Sequence, residues 1–167
     1  MPSIQSQVSA FIAKFSPEVA SQFRKARAEV RALFPRGFEL VYDNYNAFGC
    51  GYSTTAKSSG VVVSVVAYPR WVTVFFFYGT KLSDPDGILR GSGSRIRSVR
   101  LSPPTLLQSK AVRALLKQAI AKFKSEFQTA PRLSTHIKSV VAKQLPRRPR
   151  TKPKRARAAA RKTARAA

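Results

Sequence analysis

The sequence predicts an α+β domain: a mostly antiparallel sheet of about five strands, helices at both ends, and a disordered basic tail. Three observations carry this. Helical periodicity at both ends brackets a middle stretch rich in β-branched and aromatic residues. Turn formers punctuate that middle stretch. The last 22 residues hold ten Lys or Arg, no acidic residue and no large apolar side chain to bury. With 167 residues, 44% of them hydrophobic, the chain is long enough for one cored domain.

Taken in order, residues 4–15 place Ile4, Val8, Phe11, Ile12 and Phe15 on one helical stripe. Ser16 suits an N-cap, Pro17 the first helical position and Glu18 the positive end of the dipole, so a second helix is expected from Pro17 to about Phe34. Val19, Phe23, Ala26, Val30 and Leu33 form its buried stripe, and Pro35 and Gly37 end it. The period then changes. "FELVYD" (38–43), "AFGCGYS" (47–53), "VVVSVVAY" (61–68) and "WVTVFFFY" (71–78) read as strands, the last two joined as a hairpin across Pro69-Arg70. These two runs are apolar at nearly every residue, as in a sheet centre covered on both faces or a sheet face closed over a ligand. A further strand is expected near 95–101. After Pro103 and Pro104 the helical period returns over 105–127, and a shorter helix is expected within 133–144. The domain is bounded at 1–145 and the tail at 146–167, where three prolines and the absence of large apolar side chains leave nothing to offset the entropy of ordering.

The charge is the other large signal. Lys and Arg number 31 against 7 acidic residues, a net charge of +24. Without the tail, 21 basic and 7 acidic residues still leave the domain at +14. An excess of this size speaks to partners and points to polyanions, nucleic acid first and an anionic membrane surface second. No signal peptide is recognised, and the longest apolar run, 71–78, is too short to span a bilayer, so the expected location is cytoplasmic or nucleoid-associated, with no membrane partner.

Enzyme signatures fail one by one. "GSGSRIR" (91–97) lacks the lysine of a phosphate-binding loop and the third glycine of a dinucleotide fingerprint, and a strand follows it where a helix is needed. One Cys and one His cannot build a zinc site, and Ser/His/Asp chemistry has only His136, expected on a partly exposed helix. Cys50, between two glycines, reads as a small buried core residue, with a reactive thiol as the alternative. No catalytic residue and no cofactor are expected.

Two stretches remain as candidate sites for a small anionic ligand. Tyr42, Asp43, Asn44, Tyr45 and Asn46 are either an Asx-rich connection between strands or donors and acceptors at the mouth of a pocket walled by Trp71, Phe75 and Phe77. Gly91, Gly93, Arg95 and Arg97 are either a bend into an arginine-bearing strand or a backbone anion cradle. The aromatics of 71–78 could stack bases, although core packing accounts for so dense a run.

The segments "FELVYDNYNAFGCGYS" and "YPRWVTVFFFYGTKLSDPDGILRGSGSRIRSVRL", with the helix that follows, resemble the YdhG-like family of small bacterial domains of unknown function. The resemblance covers about residues 5–125. Its most specific part is Asp84-Pro85-x-Gly87 with Leu89, Gly91-x-Gly93 and Arg97, taken with the upstream "VYDNYN". It implies a compact domain with a curved sheet and no established reaction. Some relatives are labelled frataxin-like iron chaperones, but iron needs clustered carboxylates, and this chain has seven in all against a repulsive cationic background. The expectation is therefore a non-enzymatic domain whose tail binds DNA or RNA without reading sequence. Arg147, Arg148, Arg150, Lys152, Lys154, Arg155, Arg157, Arg161, Lys162 and Arg165 would contact phosphates.

Overall fold

The computed structural model describes residues 1–150. Helix α1 (Ile4–Ala13) starts where the Ser3 side chain accepts from the Ser6 N–H, and α2 (Pro17–Arg31) where Ser16 accepts from the Val19 N–H with Pro17 in the first turn. Val8, Ile12, Phe15, Val19, Phe23, Ala26 and Val30 are buried as their spacing predicts, whereas Ile4 at the start of α1 stays exposed.

Five strands follow as an antiparallel meander: β1 (Phe38–Asp43), β2 (Phe48–Ser53), β3 (Val61–Ala67), β4 (Val72–Phe76) and β5 (Arg97–Arg100). The β3–β4 hairpin pairs Val65 with Val74 across the Pro69-Arg70 turn.

The C-terminal part departs from expectation twice. The single helix over 105–127 is broken. A 3-10 turn at Pro104–Gln108 follows the two prolines, and Ser109 then caps α3 (Lys110–Ala121) by accepting from the Val112 N–H. The chain kinks again at Phe123, whose ring packs 4.9 Å from that of Tyr78, before α4 (Lys124–Thr129). The helix expected within 133–144 is instead a strand, β6 (Ser134–Val140), parallel to β1. Without it β1 would present an unpaired row of backbone groups. The β-branched Thr135 and Ile137 point to the core side, alternating with Ser134 and His136, so the two-residue period wins here.

The result is one six-stranded, mostly antiparallel sheet in the order β5-β4-β3-β2-β1-β6, with a helical layer on one face. Phe23 and Phe48 pack edge to face at 5.2 Å between α2 and β2, and Leu115 and Leu116 of α3 join the same core. Among the described residues no helix covers the opposite face. Nor is any helix there long and apolar enough to cross a membrane.

Packing also runs past the expected boundary at residue 145. The Leu145 N–H donates to the Tyr45 carbonyl at 2.8 Å, and Arg147 is buried. The remainder of the expected tail, from residue 151, lies outside the described residues.

Candidate functional site

Strand alternation decides which side chains reach the open face. In "WVTVFFFY", Val72, Val74 and Phe76 are buried against the helices, while Trp71, Phe75 and Phe77 point the other way and are half-buried. In "FGCGYS", Phe48, Cys50 and Tyr52 enter the core, so Gly49 and Gly51 face outward. Two glycines side by side with Ser64 and Val66 of β3 leave a depression of about 410 Å³. Tyr42 of β1 stands on one side of it and Phe75 and Phe77 on the other. Space is tight at both glycines: a Cβ on Gly51 would sit 3.1 Å from a Val61 methyl, and one on Gly49 3.3 Å from a Val66 methyl, so either would have to displace its neighbour by a few tenths of an ångström. Asn44, Asn46 and Tyr68 close one end of this trough, and Ser58 and Ile96 the other. The Tyr42 hydroxyl meets the Ser58 hydroxyl at 2.6 Å and fixes the β1 wall.

The two predicted candidate stretches meet this trough unequally. Tyr42, Asn44 and Asn46 line it. Asp43 points to the helix face, and Tyr45 is exposed outside it. From the second stretch only Ile96 touches the trough, at the end away from Asn44 and Asn46. Arg97 donates to the Gly93 and Ile96 carbonyls, and Arg95 lies 5.1 Å over the Tyr78 ring. Gly91, at φ +133°, turns the chain. The loop is folded on itself as a bend, and the Gly91–Arg97 and Tyr42–Asn46 stretches do not converge on one anion.

The helix face holds the buried charge. Glu39 is fully buried and receives Arg27 Nε at 3.0 Å and Nη2 at 2.8 Å, the Tyr52 hydroxyl at 2.9 Å and the Thr135 hydroxyl at 2.8 Å. Burial would raise the Glu39 carboxyl, but the Arg27 guanidinium, Thr135 and Tyr52 outweigh it and hold it below the usual range. Burial pushes the Cys50 thiol far up, with Glu39 adding to it, so the alternative of a reactive thiol has no support. Cys50 belongs to the helix face and His136 to the open face, where its ring lies 5.5 Å from that of Phe38. They cannot act as a pair. Nor do carboxylates cluster: among the described residues no three Asp, Glu, His or Cys side chains converge, so the fold gathers no hard donor set for iron.

Arg147 corrects one expectation outright. It is not a free phosphate contact: its guanidinium is buried, lies 5.6 Å over the Phe15 ring, and pairs with Asp43 at 2.9 Å. Asp43 is itself fully buried and takes Lys14 on its other oxygen at 2.6 Å. A carboxylate at the inner end of β1 demands such partners, and the nearest arginine of the basic segment supplies one. Arg148 and Arg150 are exposed. Lys152, Lys154, Arg155, Arg157, Arg161, Lys162 and Arg165 lie outside the described residues.

Sequence reasoning missed the trough floor, although the alternation of Gly49 and Gly51 with Phe48, Cys50 and Tyr52 is the signal that marks it. It also missed the distribution of acids. Glu18 and Glu29 are on α2, Glu126 on α4, and Glu39 and Asp43 point under the helices. Asp84 and Asp86 lie against α3. All seven carboxylates of the chain are thus on the helical side, and none lines the trough.

Comparison with family models, with curated proteins and with solved structures finds no match, so the resemblance to YdhG-like domains rests on the residues quoted above.

Proposed function

We propose that this chain is a non-enzymatic nucleic-acid-binding protein: a YdhG-like α+β body that grips phosphates by charge and carries a basic C-terminal segment adding to the grip. The observation that carries this reading is the cationic excess left after internal pairing. Of the seven carboxylates, Glu39 and Asp43 are buried in ion pairs, Glu29 is held by Arg113 and Gln108, and Asp84 accepts from the Ile88 and Leu89 N–H groups. Little negative charge remains to neutralise the rest of the chain's 31 basic residues once Arg27 and Arg147 are paired internally. Such a surface meets a polyphosphate by releasing its condensed counterions, without base recognition.

The test is a salt titration of duplex DNA binding, comparing the full chain with a truncation after Arg150. Cutting there keeps Arg147 on Asp43. The truncation removes seven basic residues, and at about 0.9 per phosphate the slope of log K against log salt should shrink by about 6. Equal slopes for the two proteins would remove the C-terminal segment from the reading, and failure of the full chain to bind at low salt would remove the reading itself.

A further inference from the structure

We infer that the trough on the open sheet face is a stacking site for unpaired bases, and that the preferred partner is single-stranded nucleic acid rather than duplex. This rests on the nucleic-acid reading above and names the form of the partner. Three independent features carry it.

The first is shape. The trough has a flat floor of Gly49 and Gly51, and aromatic walls from Tyr42 and from Phe75 and Phe77. Half-buried rings beside a glycine floor offer the π-faces that bases stack upon, and stacking tolerates any base. A duplex, whose bases are already stacked on one another, cannot use them.

The second is the cationic rim. Arg100 projects on this face, its guanidinium carbon 3.7 Å from the centroid of the Trp71 ring, with Tyr68 a further 5.7 Å from Trp71. A guanidinium stacked on an indole remains open on its other side, where it can take a base or a phosphate. Arg70 is exposed in the adjoining turn, Lys57 is exposed beside Ser58, and the Lys138 ammonium reaches the Ala56 carbonyl at 3.0 Å on the β6 side. Cations therefore stand on the strands and turns that border the open face.

The third is the placement of the acids. All seven lie on the helical side, so the aromatic face presents positive charge unopposed. An apolar small molecule would need no such rim, whereas a strand of phosphates with unpaired bases needs both halves of the arrangement.

The experiment uses the full chain and its one tryptophan, Trp71, as reporter. Three probes are compared at matched, moderate salt: an oligothymidylate of about twenty nucleotides, a duplex of equal length, and thymidine monophosphate. The oligothymidylate should quench Trp71 emission and resist salt better than the duplex. Phe75→Ala should weaken it about tenfold while leaving duplex affinity in place. Tyr42→Ser, which removes only a half-buried wall with one hydrogen bond, repeats the comparison should Phe75→Ala fail to fold. Equal single-strand and duplex affinity with unmoved Trp71 emission would overturn the trough while leaving charge-driven binding intact. Monophosphate binding as tight as that of the oligomer would overturn the strand in favour of a free nucleotide. Absence of binding to any probe at low salt would bring down both this inference and the reading it rests on.

Discussion

Glu39 concentrates more of the fold's electrostatics than any other side chain. Its carboxylate is fully buried on β1, and five donors from three elements converge on it: two from Arg27 and a longer one, at 3.4 Å, from Arg31 of α2, one from Tyr52 of β2 and one from Thr135 of β6. A buried charge is tolerable only when paired and saturated in this way. Glu39→Ala leaves the Arg27 guanidinium largely buried without its partner and should cost about 3–5 kcal/mol, read by chemical denaturation. Because the folded-state pKa of Glu39 is lowered from its ordinary 4.5, the stabilisation is complete above that value and is lost as pH falls from there through the folded pKa. An acid titration of stability should therefore show a loss below about pH 4.5 that the alanine variant lacks in part. Cys50 gives the complementary prediction. Fully buried and held protonated, it should resist thiol reagents in the native protein and react only on unfolding, as timed mass spectrometry would record.

At the scale of elements, β2 shows how one strand serves two layers. Phe48, Cys50 and Tyr52 fill the core while Gly49 and Gly51 hold the trough open. Gly51→Val must push against the Val61 methyls, 3.1 and 3.2 Å from where a Cβ would stand. It should cost about 1–3 kcal/mol by overpacking and should abolish Trp71 quenching by oligothymidylate. The helices α1 and α2 and strands β1 to β4 were legible because their periods are local: caps, prolines and alternation lie within each segment. β6 was not, because Ser134–Val140 carries a weak pattern in either period and its state is set by the exposed edge of β1, a hundred residues upstream. The single helix over 105–127 failed for a related reason. Ser109 and Phe123 sit acceptably in a helix by composition, but one is used as a cap and the other as a plug against Tyr78. Of the candidate site, the Tyr42–Asn46 half was visible as polar residues between strands. The division of "WVTVFFFY" was visible in part: the expected wall of Trp71, Phe75 and Phe77 is the outward set, but only Phe75 and Phe77 line the trough, Trp71 standing outside it. Arg147 was hidden by its own composition: a buried arginine inside a run of prolines and cations looks like every other residue of that run. Its pairing with Asp43 predicts that Arg147→Ala lowers stability by about 3 kcal/mol, whereas Arg150→Ala, at an exposed position, changes it by less than about 0.5 kcal/mol.

Over the whole molecule the sheet separates two electrostatic environments. The helical side interleaves its lysines and arginines with every carboxylate the chain possesses, as where Arg113 meets Glu29 at 2.7 Å and Asp84 and Asp86 lie against the start of α3 beside Lys110. Mixed signs at this spacing weaken the potential beyond a Debye length of about 8–10 Å. The open face carries Lys57, Arg70, Arg100 and Lys138 with no acid among them. A polyanion approaching the body should therefore dock on the sheet rather than on the helices, although both sides carry cations. This is separable by experiment in the chain truncated after Arg150, where the C-terminal segment no longer dominates. Replacing Arg70, Arg100 and Lys138 together by Gln should lower the salt slope for single-stranded DNA by up to about 2, at about 0.7 per phosphate on a single strand. Replacing Lys110, Lys117 and Lys124 on the helical side removes the same formal charge and should leave the slope nearly unchanged. If net charge alone governed association, the two triple variants would weaken binding equally. A difference between them measures how far this fold orients its charge toward one face.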